Sequence, residues 1–224
     1  MKAAVLVFPG SNCDRDLAVA FRAAGFETEM VWHKDAALPK VDLVGVPGGF
    51  SFGDYLRCGA IAARAPIMSA VKDHAKKGGY VLGICNGFQI LTEAEMLPGA
   101  LLRNAQIKYR CHPTPLKVET TDSPFTSQYR QGQTVNFPVA HHDGNYRADE
   151  ELVKRLYGEG RVAFSYAKEG GINGAAGHIA GVLSENRHVL GLMPHPERAA
   201  DPALGGTDGK AMFAGLAESL AAVA

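Results

Sequence analysis

The ten residues YVLGICNGFQ, Tyr80 to Gln89, constrain the fold more than any other stretch of the chain. Residues 80–84 are apolar enough for a strand buried on both faces, whereas residues from Asn86 onward carry a helical pattern. Cys85 therefore has to stand on a strand-to-helix turn. Gly83 and Gly87 flank it two residues to either side, the spacing of a nucleophile elbow with sulfur in place of a hydroxyl oxygen. A turn this sharp holds its central residue in a strained backbone conformation and leaves no room for a Cβ at the flanking positions. The first N–H groups of the helix point at the sulfur and favour thiolate over thiol. A buried, inert free cysteine at a tight turn is the plain alternative.

The rest of the chain extends this strand–turn–helix in both directions. Residues 3–8 form a short apolar run ended by Pro9-Gly10. Ser11 with Asp14 reads as a capping box with Asp in place of Glu, and Leu17, Ala20, Phe21 and Ala24 then repeat at helical spacing up to Gly25. Strands are expected at 27–31 and 41–46, a glycine-rich loop at 48–59, a helix at 66–77 stopped by Gly78-Gly79, the strand into Cys85, and a helix over 86–95. This β-α-β-β-α-β order predicts an α/β fold, an open, mainly parallel, flavodoxin-like sheet with helices on both faces. Beyond Pro98 the pattern changes to short β-branched segments at 116–120, 135–140, 162–166, 179–183 and 189–192. These are expected as further strands with some antiparallel pairing, closed by a helix over 210–222. No repeat, low-complexity tract or linker interrupts the chain, so residues 1–224 are expected to form a single domain.

Composition narrows the function. Lys plus Arg and Asp plus Glu both number 23, so there is no basic field to attract nucleic acid or acidic lipid. The start, MKAAVLVF, is too short an apolar run for a signal segment, and no stretch approaches a membrane span. Cys13, Cys58, Cys85 and Cys111 lack paired spacing, which argues against a disulfide framework and fits the reducing cytoplasm.

A thiolate that attacks a carbonyl needs a proton carrier and a group to orient it. His195 in LMPHPER follows the expected strand 189–192, and Pro196 biases it toward extended backbone, where residues two apart face the same way. Glu197 then stands beside the imidazole. The plain alternative is a rigid proline turn on the surface. Acyl transfer also requires N–H donors for the oxygen that becomes negative. The N–H of Asn86, directly after Cys85, and that of Gly49, in the glycine-rich loop after the strand 41–46, are the candidates. Simple turn chemistry or a phosphate cradle are other uses of such a loop. The cradle is disfavoured because no G-x-x-x-x-G-K-[ST] is present, and GGTDGKA has the wrong spacing with Ala211 where Ser or Thr is required.

GICNGFQ together with MPHPER resembles the class I glutamine amidotransferases. FPGSNCDRD, PGGFSFGDYLRCGA, HHDGNY and GGINGAAGHIAGVLSENRHVLGLMPHPER extend the likeness, over nearly the whole chain, to a branch of that family. Members of the branch are glutaminase subunits that serve an ATP-dependent synthetase in purine biosynthesis. The family at large usually has leucine after the nucleophile, whereas Asn86 marks this branch. The resemblance implies Cys85 as nucleophile, His195 as acid/base, Glu197 as its orienting partner, and Gln89 as a contact to the amino-acid end of L-glutamine. It also implies that the partner is a synthetase subunit, joined in some relatives by a small bridging subunit. This chain would hold no cofactor or metal, with ATP and Mg on the partner. A cysteine hydrolase of other specificity and a non-catalytic scaffold are the competing functions.

The remaining reactive residues take ordinary roles. Cys13 and Cys58 lie in loops near expected strand ends, from which either could approach the site, but neither has the two flanking glycines of the elbow. Cys111-His112 and His141-His142 lack zinc-ligand spacing. Asp14 and Asp16 suit the first turn of a helix, and Trp32 is expected to pack.

Overall fold

The computed structural model describes residues 1–167 and 172–222, so Gly170 and Gly171 of the long C-terminal motif lie outside the described residues. Strand β1 (Lys2–Val7) is buried through residues 3–6 and leads to helix α1 (Asp14–Ala23), which buries Leu17, Ala18, Ala20 and Phe21. Strands β2 (Glu27–Trp32) and β3 (Leu43–Val46), helix α2 (Ile67–Lys76), strand β4 (Tyr80–Ile84) and helix α3 (Asn86–Glu93) follow. The second half adds β5 (Ala100–Leu102), β6 (Arg110–Val118), β7 (Thr134–His141), β8 (Asn145–Arg147), helix α4 (Glu150–Gly158), β9 (Val162–Tyr166), β10 (Ile179–Leu183), β11 (Val189–Leu192) and helix α5 (Lys210–Ala221).

Nine strands form one sheet in the order β2-β1-β3-β4-β11-β10-β9-β6-β7. Pairings from β2 across to β11 are parallel, and those from β11 to β7 are antiparallel. Strands β5 and β8 form a separate antiparallel pair. The register sets Val46 beside Gly83 and Gly83 beside Gly191, so these three share a face, and Gly45 points to the other. A Cβ on Gly45 would meet Leu17 and Phe21 of α1 at 2.7 and 2.8 Å, whereas Gly83 and Gly191 face Leu91 and Phe88 of α3. Helices α1 and α3 therefore cover opposite faces of the sheet. Helix α5 lies with α1, its Phe213 ring 6.0 Å from that of Phe21. Removing side chains such as Phe21 and Phe88 from water contributes roughly 2–3 kcal/mol each. No helix among the described residues is long and apolar enough to cross a membrane.

Several elements depart from expectation. The capping box does not form: Cys13 is the N-cap of α1 without a side-chain bond, and Ser11 instead bridges to Gly49. Strand β6 starts at Arg110, six residues before the expected start at 116, and carries Pro113 and Pro115. Only Leu116–Val118 pair with β9, so over residues 110–115 the strand has β7 alone as neighbour and the prolines leave no second ladder unfilled. Helix α4 and strands β5 and β8 are additions. Helix α4 buries only Leu156, too narrow an apolar stripe to stand out, although the Asp149 carboxylate caps it by accepting from Leu152 N at 2.7 Å. Trp32 is 43% exposed on the edge strand β2 rather than packed inside.

Candidate active site

Strands β1, β3, β4 and β11 run parallel, so their C-terminal ends open onto one edge of the sheet. The segments that leave them are residues 8–13, residues 47–49, Cys85 and residues 193–197. The order 2-1-3 reverses the direction of chain travel at β1, and such a switch point leaves a crevice where ligands bind. Residues far apart in sequence meet here for a topological reason.

Cys85 stands between β4 and α3 with φ 53 and ψ −108, a positive-φ conformation that costs a residue with a Cβ. Its N–H donates to Leu192 O at 2.7 Å, which pins the turn to the end of β11. Any Cβ on Gly87 would fall onto the Val46 carbonyl oxygen, and one on Gly83 would meet Leu91 and the Gly87 backbone at 2.5 to 2.9 Å. Both glycines are thus required by close approach. Cys85 Sγ lies 3.8 Å from Ala140 O of β7 and is 5% exposed as a residue.

His195 reaches the same place from β11. Its backbone N–H donates to Pro138 O at 2.8 Å, and its Nδ1 lies 2.6 Å from Glu197 Oε1. The pair is not set side by side by extended backbone throughout, because Pro196–Ala199 forms a 3-10 turn that brings Glu197 back under the ring. Both residues are buried, and the Cys85 and Cys13 sulfurs lie near the imidazole, whose Nε2 makes no hydrogen bond among the described residues. Burial pulls the His195 pKa down, but the Glu197 carboxylate and the Cys85 sulfur outweigh it and hold the imidazole well above the usual histidine range. With its pKa raised, the imidazole beside the Cys85 sulfur holds a proton ready for a leaving group.

The two candidate oxyanion donors lie on the segments that follow β4 and β3. As the first residue of α3, Asn86 has an N–H with no partner in its own helix. Gly49 pairs with Ser11 in a bridge whose hydrogen bonds run through the neighbouring residues, Asn12 N to Gly48 O at 3.4 Å and Phe50 N to Gly10 O at 3.0 Å. The Gly49 N–H therefore donates to nothing among the described residues. At φ 139, with the Ser11 Cα 2.7 Å from where a Cβ would stand, Gly49 also needs to be glycine. Gln89, one helical turn beyond Cys85, is 5% exposed, and its Nε2 donates to Asp143 O at 2.7 Å.

Cys13, expected near a strand end but without the elbow, does approach the site. Its sulfur, a nitrogen of His195 and a carboxylate oxygen of Glu197 lie within 4.8 Å of one another. Such a trio suits a soft metal ion in donor type, but the Arg198 guanidinium reaches the same sulfur at 3.2 Å and pairs with Asp16 at 3.0 Å. Positive charge already stands where a metal would supply it. Asp16 is thus an ion-pair partner besides being a first-turn acid. Burial raises the Tyr109 pKa, and the Cys85 and Cys111 sulfurs add to the shift. Tyr109 carries no local sequence signal, whereas the place of Cys13 after β1 could be read from the sequence. His141 binds Asn104 Oδ1 through Nδ1 at 3.1 Å, and burial, reinforced by His195, lowers its pKa to about 3. It is a neutral structural histidine, and His142 pairs with Asp143 at 3.3 Å instead of joining it.

The sequence matches the CobB/CobQ-like glutamine amidotransferase domain family over residues 1–205. It is 65% identical, over the full length of both chains, to phosphoribosylformylglycinamidine synthase subunit PurQ of Roseobacter denitrificans. The PurQ subunit of Bradyrhizobium diazoefficiens is 58% identical, with 98% of each chain covered. Among solved structures, a chain of PurLQS from Thermotoga maritima superposes with a TM-score of 0.90 at 44% identity, covering 98% of both chains. A putative GMP synthase subunit from Thermoplasma acidophilum shares the fold alone, with a TM-score of 0.67 at 16% identity over 100% of this chain and 97% of that one. The chain belongs to the CobB/CobQ-like glutamine amidotransferase family, in the branch formed by the PurQ subunits of phosphoribosylformylglycinamidine synthase.

Proposed function

We propose that this chain is the glutaminase subunit of a phosphoribosylformylglycinamidine synthase and supplies ammonia from L-glutamine to an ATP-dependent synthetase subunit in purine biosynthesis. The observation that carries the reading is the meeting of Cys85 with the buried His195–Glu197 pair at the end of the parallel strands. In the reaction, the Cys85 thiolate attacks the side-chain amide carbon of glutamine. The N–H groups of Asn86 and Gly49 hold the oxygen as it becomes negative. His195, protonated and held by Glu197, gives its proton to the nitrogen, the C–N bond breaks, and ammonia leaves. The glutamyl thioester on Cys85 is then attacked by a water that His195 deprotonates, releasing glutamate and the thiolate. Gln89 contacts the amino-acid end of the substrate.

Ammonia in bulk water near neutral pH is mostly protonated and no longer nucleophilic, so transfer requires a docked acceptor. The synthetase subunit fills that role together with a small bridging subunit, in the manner of the PurLQS assembly of Thermotoga maritima. ATP and Mg belong to that partner, because this chain offers no phosphate-binding loop. The whole of residues 1–224 works as one domain in the cytoplasm. Glutamine hydrolysis measured with and without the co-purified synthetase tests the reading: slow turnover by the isolated chain, faster turnover in the complex, and none with Cys85→Ala. Glutamine-dependent activity that survives Cys85→Ala overturns it.

A further inference from the structure

The Asn86 side chain is fully buried, yet the N–H that stabilises charge belongs to its backbone. Its amide is used in full. Oδ1 accepts from Ser51 N at 3.1 Å, while Nδ2 donates to Gln89 Oε1 at 2.8 Å and to Asp54 Oδ1 at 3.4 Å. Gln89, so held, donates to Asp143 O at 2.7 Å. The result is a chain of polar contacts joining the nucleophile elbow, the loop after β3 and the turn after β7.

The loop it fastens does not hold its shape unaided. Phe52, Asp54 and Leu56 all have positive φ, at 54, 54 and 69, in addition to Gly49 and Gly53. Each such non-glycine residue persists only where surrounding contacts impose it. The Ser51 N–H bond to Asn86 lies two residues from Gly49, whose N–H is one of the two oxyanion donors. A buried amide at this position can therefore fix both donors relative to each other.

We propose that the Asn86 side chain is a positioning residue that locks the Gly49 loop and Gln89 against the Cys85 elbow, setting the oxyanion site through Ser51 and the substrate contact through Gln89. This rests on the glutaminase reading above. The two halves of the amide predict different kinetics. Asn86→Leu removes both contacts at similar volume. Asn86→Asp keeps an acceptor for Ser51 N but places a carboxylate oxygen, which cannot donate, against Gln89 and Asp54.

The test compares wild type, Asn86→Leu and Asn86→Asp in the complex with the synthetase. It measures glutamine kcat and KM, alkylation of Cys85 by iodoacetamide, and hydrogen exchange of the Ser51 amide. For Asn86→Leu, kcat falls about a hundredfold, as for loss of an oxyanion donor, while alkylation stays within about threefold. Ser51 exchange rises at least about tenfold as its hydrogen bond is lost. In Asn86→Asp, Ser51 stays protected and KM rises more than kcat falls. Unchanged Ser51 exchange in Asn86→Leu overturns the proposal, as does a parallel fall of alkylation and turnover, which marks a collapsed elbow. Should Asn86→Leu not fold, Asn86→Asp decides by whether KM or kcat carries its defect. A wild-type complex without glutaminase activity overturns the functional reading, and the exchange result then judges Asn86 separately.

Discussion

His195 Nδ1 and Glu197 Oε1 lie 2.6 Å apart in a site where the histidine is 1% and the glutamate 3% exposed. A carboxylate this close orients the ring and stabilises its charged form, so neutralising it is costly without any change of shape. Glu197→Gln is expected to lower glutaminase kcat by about a hundredfold to ten-thousandfold, by analogy with loss of the acid from a hydrolase triad. Steady-state assays of the complex, with circular dichroism to confirm folding, check this.

The same pair makes stability depend on pH. The folded His195 pKa is raised above its unfolded value of 6.5, so the folded state binds the proton more tightly. Its contribution is fully present below that unfolded value and is lost as pH rises through the raised folded pKa. Urea unfolding on the alkaline side of neutrality is expected to show a decline in wild type that is reduced in His195→Ala. The opposite trend belongs to His141, whose pKa is lowered from 6.5 to about 3 by burial and then by His195. The unfolded chain takes up this proton first on acidification, so stability falls as pH drops from the unfolded value toward the folded one. NMR of the ring protons is expected to find His141 neutral throughout the range in which a free histidine titrates.

Cys85 holds φ 53 and ψ −108 for the sake of the turn. At an ordinary position glycine is less stabilising than alanine by about 0.5–1 kcal/mol. Here the order is expected to invert, with Cys85→Gly more stable than Cys85→Ala by about 1 kcal/mol, because glycine relieves the positive-φ strain. Both variants are expected to lose glutamine hydrolysis, and denaturant unfolding separates them.

Gly87→Ala places a methyl group on the Val46 carbonyl oxygen at the start of α3. Neither backbone can yield without moving the elbow away from β3. A loss of about 1–3 kcal/mol in unfolding free energy is expected, together with loss of glutamine hydrolysis beyond what the stability change explains.

The central strands were legible because β1, β3 and β4 are continuous apolar runs bounded by glycine or proline, and the elbow was legible because glycine spacing reports a backbone requirement directly. Cys85, His195 and Glu197 stood out by residue type and local setting. Arg198 and Tyr109 did not, since the Arg198 contact with Cys13 and the place of Tyr109 depend on which strand ends share an edge. The capping box misled because the Ser11–Gly49 bridge competes for Ser11. The first half of strand β6 was hidden because Pro113 and Pro115 imitate a loop until the missing neighbour on one side is known. The Asn86 amide was visible only as a family difference, and its three partners required coordinates.

The most direct measurement treats the purified complex with a glutamine-analogue electrophile and locates the adduct by peptide mass spectrometry in wild type and His195→Ala. A single adduct on Cys85, formed at least about a hundredfold more slowly without the imidazole, is the expected result. An adduct on Cys13, or a rate on Cys85 indifferent to His195, contradicts the account.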